Sequence, residues 1–176
     1  MLRIVAASAF KSYITMNYDY KLLAAQVKAL AEGETNLTGV LANVSALLME
    51  TLKPLWIGFY LVDDSACQEV SGQKLILGPF QGPVACMKID YGKGVCGHAW
   101  EKGETVIVPD VEKFDGHIAC SSLSRSEIVV PIKAEGRVVG VLDADSREID
   151  TFTSADAAGL EEICSVLAEC FENAAL

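Results

Sequence analysis

The sequence predicts an α+β domain in which a mainly antiparallel sheet of about six strands carries the N-terminal and C-terminal helices on one face. Two observations support this prediction. Apolar residues recur at helical spacing near both ends of the chain, whereas the middle holds five or six short stretches rich in β-forming residues. These stretches do not alternate with helices, so a parallel doubly wound sheet is not expected.

Three helices are predicted from apolar periodicity, and the first of them is short. The first begins near Asp19 and stops at Gly33, and the second begins after a cap at Thr35 or Asn36. The last covers about residues 154–173, and its apolar side chains form one stripe. The stripe comprises Leu160, Ile163, Cys164, Leu167 and Phe171. Cys164 is therefore expected to be a small buried apolar residue.

The predicted strands lie between these helices. They cover residues 55–62, 74–77, 85–89 and 105–108, followed by a hairpin of residues 128–132 and 138–142. Trp56 and Tyr60 share one face of the first strand, and Cys86 belongs to the third. The turn-rich residues 78–83 connect two strands, and residues 92–100 lead into a short helix. Residues 109–124 have little pattern, and a loop of that length is usually functional.

Composition limits the classes of partner. The chain has 176 residues and a formal net charge of −10, which suits one domain with one hydrophobic core. Nucleic-acid binding needs clustered Lys and Arg, so we expect neither a nucleic acid nor a membrane as a partner. No segment is apolar for long enough to span a bilayer. We expect residues 16–176 to form the domain and residues 1–15 to be an N-terminal appendage that need not be ordered.

The cysteines favour a cytoplasmic protein without a metal. They lie at positions 67, 86, 96, 120, 164 and 170, and none forms a CxxC pair or a zinc-like spacing. His98 and His117 complete no known zinc-ligand pattern either. The apolar run around Arg3 is short and lacks a clear cleavage site, so secretion is not expected. In the cytoplasm a disulfide is more often catalytic and transient than structural.

The strongest candidate site begins in the loop before the predicted hairpin. Cys120 lies there without a helix or strand pattern of its own, and Glu127 opens an apolar run in which a lone charge is costly to bury. Asp143 and Asp145 share one face of the next strand. One thiol and three carboxylates could therefore converge on a pocket. The alternatives are an inert loop thiol and carboxylates that are solvated at strand ends.

Seven motifs follow one another in an order that resembles a known family. They are LAEGETN (30–36), WIGFY (56–60), LGPFQGPVAC (77–86), GKGVCG (92–97), GHIAC (116–120), SEIVVP (126–131) and GVLDADS (140–146). In these motifs the chain is similar to the free methionine-(R)-sulfoxide reductases, a catalytic branch of the GAF-domain fold. The resemblance covers residues 17–173. It implies a GAF-like fold and the reduction of free L-methionine (R)-sulfoxide to L-methionine.

The resemblance also implies a role for each cysteine of these motifs. Cys120 matches the nucleophile, Cys86 the resolving cysteine and Cys96 a second resolving position. The implied substrate-binding residues are Trp56, Tyr60, Glu127, Asp143 and Asp145. Ser121 stands where this family usually has Asp, which removes one negative charge beside the predicted nucleophile.

The implied reaction uses the protein's own thiols and no bound cofactor. Cys120 attacks the sulfoxide sulfur, the resulting sulfenic acid condenses with Cys86, and thioredoxin reduces the disulfide. The three acids suit the ammonium group of a free amino acid. Trp56 and Tyr60 suit its methyl and thioether groups, although such aromatic pairs are more often core.

A second function from a different class is a non-catalytic GAF module that senses a small ligand or the redox state. The pair Cys86 and Cys120 favours the enzyme, because a plain ligand-binding module needs neither thiol. The oligomeric state is left open, with a homodimer as one arrangement.

Overall fold

The elements follow the predicted order along the chain. The computed structural model describes residues 18–63, 70–116, 118 and 121–173, so the proposed appendage of residues 1–15 lies outside the described residues. Four α-helices are described: α1 (Tyr20–Ala31), α2 (Leu37–Leu52), α3 (Gly94–Lys102) and α4 (Ser154–Asn173). The described strands are β1 (Trp56–Asp63), β2 (Lys74–Gln81), β3 (Lys88–Asp90), β4 (Val106–Val108), β5 (Ser126–Ala134) and β6 (Arg137–Ser146).

The described strands form one sheet in which every neighbouring pair is antiparallel. Their order is β3-β2-β1-β6-β5-β4, so β1, β6 and β5 are adjacent near its middle. Trp56 of β1 lies opposite Asp145 of β6, and Asp145 lies opposite Glu127 of β5. This register places three candidate site residues in one row across β1, β6 and β5. The predicted α+β class and antiparallel sheet are confirmed.

The sheet separates two hydrophobic clusters. Helices α1, α2 and α4 pack on one face, against β1 residues that include Ile57 and Phe59. Helix α3 packs on the opposite face, where Cys96 joins Trp56 and Tyr60. Strand alternation accounts for this division of β1, and the long helices share one face as predicted. Only the face under α3 also carries the candidate acids.

Local capping and turn chemistry explain several boundaries. Asp19 accepts a hydrogen bond from the Leu22 amide at the start of α1, and Asn36 accepts one from the Gly39 amide at the start of α2. Asn36 is therefore the cap of α2. Glu135 and Gly136 both have positive φ, 50° and 77°, as a two-residue turn between twisted antiparallel strands requires.

Strand β2 is longer than predicted. The sequence places residues 78–83 in a turn-rich connection, but β2 continues to Gln81. The register shifts where Phe59 of β1 faces two residues of β2, Gly78 and Pro79, and such a bulge tolerates a proline because its residues are not all paired. Gly58 is required beside the bulge, since a Cβ there would lie 2.3 Å from the Cβ of Phe80.

The predicted position of Cys86 within a strand is wrong. Strand β3 begins at Lys88, and its pairing with β2 covers only Lys74 to Ile76. The bulge then redirects β2, and residues 82–87 connect β2 to β3 without belonging to either strand. Cys86 therefore lies in a connecting segment at the margin of the sheet. Within the described residues, no helix has the combined length and apolar character that crossing a membrane requires.

Candidate active site

Three acidic side chains meet on the sheet face that α3 covers. Glu127 and Asp145 are cross-strand partners, and Asp143 lies two residues before Asp145 on the same face of β6. Glu127 and Asp143 are each only 6% exposed, whereas Asp145 is half-buried. The structure thus brings Glu127 to the two carboxylates, Asp143 and Asp145, that strand alternation places on one face of β6.

Helix α3 adds the thiol of Cys96 to these acids. Its Sγ donates to Asp143 Oδ2 at 3.4 Å and lies 4.0 Å from Glu127 Oε1. The turn that leads into α3 packs closely against the helix because Gly97 has no side chain, and a Cβ there would lie 2.5 Å from the Asp90 carbonyl oxygen. No local pattern in the sequence indicates this contact between Cys96 and the acids.

An aromatic wall stands beside the acids. Trp56 stacks on Tyr60 and on Phe80, with ring centroids 5.9 Å and 5.2 Å away. Both predicted aromatics are buried, in keeping with the core alternative, but Trp56 Nε1 has no hydrogen-bond partner among the described residues. The Tyr60 hydroxyl donates to the Cys86 carbonyl at 3.0 Å. Sequence reasoning missed Phe80 because it assigned this residue to a turn.

Burial determines the protonation of the carboxyls. Desolvation, followed by the charges of Asp143 and Asp145, raises the pKa of Glu127 well above its usual range. Desolvation and then the charge of Asp145 do the same to the pKa of Asp143. The pKa of Asp145 rises only to about 6, mainly through burial. Near neutral pH, Asp145 is therefore mostly ionised, while Glu127 and Asp143 favour their protonated forms.

Cys96 is a poor nucleophile in this environment. Burial raises the pKa of its thiol, and the charges of Asp143 and Glu127 raise it further. Because the thiolate is the reactive form, the raised pKa makes Cys96 less reactive than an ordinary thiol.

Ser124 and Arg125 fasten the end of the long loop to β6. The Ser124 hydroxyl donates to Asp145 Oδ1, and this contact lowers the pKa of Asp145 against the effect of burial. The Arg125 amide donates to the Ser146 carbonyl at 2.7 Å. Ser124 is a site residue that sequence reasoning missed, since one serine in a serine-rich run carries no distinguishing signal.

The predicted redox cysteines are only partly described. Cys86 is half-buried and disulfide-bonded. The other described cysteines, Cys96, Cys164 and Cys170, are free thiols. Cys120 also lies outside the described residues, so its nucleophilic role stays a prediction. His117 and Cys67 lie there too.

Comparison with known proteins adds a family to this geometry. Residues 34–172 match the family model of the GAF domain. The free methionine-R-sulfoxide reductase of Escherichia coli strain K12 is 42% identical over 156 residues, which cover 88% of this chain and 86% of that protein. The chain belongs to the free methionine-R-sulfoxide reductase family. Its members are enzymes, and the GAF fold that the motifs imply is confirmed.

Two further relatives span nearly the same region. The free methionine-R-sulfoxide reductase of Neisseria meningitidis, solved in complex with its substrate, is 47% identical and has a TM-score of 0.81, covering 88% of this chain and 89% of that one. GAF domain-containing protein A of Dictyostelium discoideum is 49% identical over 149 residues, 85% of this chain and 90% of that protein. The match to the GAF-domain model over residues 34–172 includes every element that carries the acids and aromatics.

The raised pKa of Asp145 makes the folded protein less stable as pH rises. The pKa of about 6 in the folded protein exceeds the 3.8 of an ordinary aspartate, so folding opposes ionisation of Asp145. Stability from this group is fully present below pH 3.8 and is lost as pH rises through 6. Asp145→Asn should remove this loss. The difference in the free energy of unfolding between the variant and wild type should therefore be about 2 kcal/mol larger at pH 7.5 than at pH 4.5, in favour of the variant.

Urea denaturation of both proteins in metal-free buffer at the two pH values measures this difference. Asp110→Asn is a suitable control, because a hydrogen bond from Lys113 lowers the pKa of Asp110 and its removal should change the pH dependence in the opposite sense. Parallel pH profiles for wild type and Asp145→Asn would contradict the prediction.

Proposed function

We propose that the protein reduces free L-methionine (R)-sulfoxide to L-methionine through a cysteine sulfenic acid and an intramolecular disulfide. The observation that carries this proposal is the convergence of Glu127, Asp143 and Asp145 beside Trp56 on one covered face of the sheet. The disulfide-bonded Cys86 adjoins the same site through its hydrogen bond from Tyr60. Relatives named as reductases of this substrate support the proposal.

The acids suit the ammonium group of a free amino acid. Ionised Asp145 supplies negative charge, and the carboxyl oxygens of Glu127 and Asp143 supply further acceptors. Asp143 Oδ1 is buried without a hydrogen-bond partner among the described residues, so it can accept from a bound ligand. A methionine sulfoxide within a peptide has an uncharged amide in this position and does not use these charges.

The remaining groups suit the sulfoxide end of the substrate. Trp56 and Tyr60 offer ring faces to the methyl and thioether carbons, and sulfur packs favourably against aromatic rings. Whichever of Glu127 and Asp143 does not bind the ammonium group can, when protonated, donate to the sulfoxide oxygen as it gains negative charge. The buried Trp56 Nε1 is a second donor that lacks a partner within the described part of the chain.

The proposed chemistry is a two-electron reduction by thiols. The thiolate of Cys120 attacks the sulfoxide sulfur, and the oxygen takes up one proton and passes to the Cys120 sulfur. The S–O bond of the substrate breaks, so methionine leaves and Cys120 becomes a sulfenic acid. The thiol of Cys86 then displaces water from the sulfenic acid to form a disulfide. Thioredoxin reduces this disulfide by thiol exchange and restores both thiols, so no bound cofactor is required.

The surroundings of Cys86 suit a protein reductant. Cys86 lies in a connecting segment and is half-buried, and the nearby Val84 and Met87 are 87% and 67% exposed. Exposed apolar side chains next to a disulfide offer a contact surface for thioredoxin. Recycling by thioredoxin also agrees with a cytoplasmic location, where the reductant is available.

Turnover with thioredoxin tests the function directly. Free L-methionine (R)-sulfoxide, thioredoxin, thioredoxin reductase and NADPH should give continuous NADPH oxidation and stoichiometric methionine. Cys164→Ser is a suitable control, because Cys164 packs in the cluster between the sheet and helices α1, α2 and α4, away from the site. Once folded, this variant should keep its turnover. Saturable binding of the sulfoxide without turnover, using either thioredoxin or dithiothreitol, would contradict the proposal and favour the sensor.

The oxidised protein should carry a disulfide between Cys86 and Cys120. Cys96 is the poorer resolving thiol, because it is buried and its Sγ is held by Asp143 at 3.4 Å. Peptide mapping by mass spectrometry after one equivalent of substrate measures the pairing. Cys120 joined only to Cys96 would assign the resolving role to Cys96 instead.

A further inference from the structure

One thiol and two carboxylates under α3 are arranged as metal ligands would be. Ligand atoms of Cys96, Glu127 and Asp143 all lie within 4.8 Å of one another, and all three residues are buried. The Cys96 Sγ is 3.4 Å from Asp143 Oδ2 and 4.0 Å from Glu127 Oε1. In a tetrahedral zinc site, with Zn–S of about 2.3 Å and Zn–O of about 2.0 Å, sulfur and oxygen ligands are about 3.5 Å apart. The protein already holds its donors near that spacing.

The second carboxyl oxygen of Asp143 independently indicates a bound group. Asp143 is 6% exposed, and its Oδ1 is buried without a hydrogen-bond partner among the residues that the structure describes. A buried polar atom without a partner is destabilising unless a ligand satisfies it. A cation between the three side chains would engage this oxygen of Asp143.

We propose that Cys96, Glu127 and Asp143 bind one borderline-soft divalent cation of the Zn²⁺, Co²⁺ or Cd²⁺ type. A thiolate with two carboxylates suits these ions, whereas Mg²⁺ and Ca²⁺ prefer a larger shell made of oxygen ligands alone. Binding displaces the protons of the thiol and carboxyls, and water completes the shell. The ligands lie 31 and 47 positions from Cys96, which explains why the linear spacing predicts no metal.

The cation should act as a reversible inhibitor, an effect that rests on the proposed function. Glu127 and Asp143 would serve both the cation and the ammonium group of the substrate, so the two ligands exclude each other. Zn²⁺ should therefore raise KM for free methionine sulfoxide and leave kcat unchanged when dithiothreitol is replaced by a reductant that does not chelate metals.

Cobalt substitution tests the binding without reference to activity. Oxidised wild-type protein, with the Cys86 disulfide intact, should bind one equivalent of Co²⁺ and show a thiolate-to-cobalt charge-transfer band that Zn²⁺ abolishes by displacement. Cys96→Ala should lose this band. Cys164→Ala should keep it, although Cys164 is an equally buried thiol, because it lies in the cluster on the opposite face of the sheet.

Asp143→Asn provides a second test of the metal site, which still applies if Cys96→Ala fails to fold. It preserves the size of the side chain and should weaken Co²⁺ binding by about tenfold or more, the loss expected for one charged contact. A charge-transfer band that survives Cys96→Ala, or unchanged affinity in folded Asp143→Asn, would overturn the metal site. If the protein is an active reductase but shows no charge-transfer band, only the proposal of a metal site is contradicted. A one-to-one cobalt complex without reductase activity instead contradicts the proposed function.

Discussion

Replacing Cys120 with serine should abolish even the first turnover. A serine hydroxyl is protonated at neutral pH and cannot attack the sulfoxide sulfur as a thiolate does. Loss of a nucleophile typically lowers kcat by about 10⁴-fold or more, so the residual rate should approach that of the uncatalysed reaction. Quenched single-turnover measurement of methionine, on protein with a wild-type circular dichroism spectrum, gives the result.

Cys86→Ser is the matched variant for this experiment. Sulfur attack and methionine release precede resolution, so this protein should form close to one equivalent of methionine per site and retain a sulfenic acid that dimedone traps. Recycling by thioredoxin should then be slow, unless Cys96 acts as the resolving thiol. A full burst from Cys120→Ser, or none from folded Cys86→Ser, would show that the two roles are reversed.

Blocking both ends of the substrate should cause the second large effect. N-acetyl-L-methionine (R)-sulfoxide amide lacks the ammonium group that Glu127, Asp143 and Asp145 are proposed to bind. Each charge-assisted contact contributes about 1.5 to 3 kcal/mol, so losing two of them corresponds to a decrease in kcat/KM of about 10² to 10⁴-fold. Steady-state kinetics of the free and blocked sulfoxides with the same reductant measures the ratio.

The acids can be tested individually in the same assay. Glu127→Gln and Asp145→Asn should each lower kcat/KM on the free sulfoxide and reduce the discrimination against the blocked one. Asp156→Asn is the control, because Asp156 accepts hydrogen bonds from Tyr20 and Thr153 on the side of the sheet that α1, α2 and α4 cover, away from the site. Comparable kcat/KM on both substrates, or discrimination that survives every acid substitution, would refute the proposed binding mode.

Local patterns predict much of the fold because they depend on near neighbours. The apolar stripe of α4 identifies its length and places Cys164 in the core, as the structure shows. The capping side chains of α1 and α2 lie directly before the helices that they start. Strand alternation likewise pairs Trp56 with Tyr60 on the face opposite Ile57 and Phe59.

Predictions failed where non-local pairing overrides local signals. Gly78 and Pro79 are typical turn residues, yet the bulge opposite Phe59 accommodates them within β2. As a result Phe80 reaches Trp56, and Cys86 lies before β3 rather than in it. Neither outcome follows from the residues next to the bulge, because it depends on how β1 and β2 pair.

The sequence by itself determined which chemical groups are present and which face of its own strand each one occupies. Asp143 and Asp145 must share a face of β6, and Glu127 must interrupt an apolar strand. Only the tertiary structure decided that these groups meet Cys96, because the meeting depends on strand register and on the packing of α3 against this face of the sheet. It also decided their protonation, since desolvation exists only when distant segments together exclude water from the carboxyls.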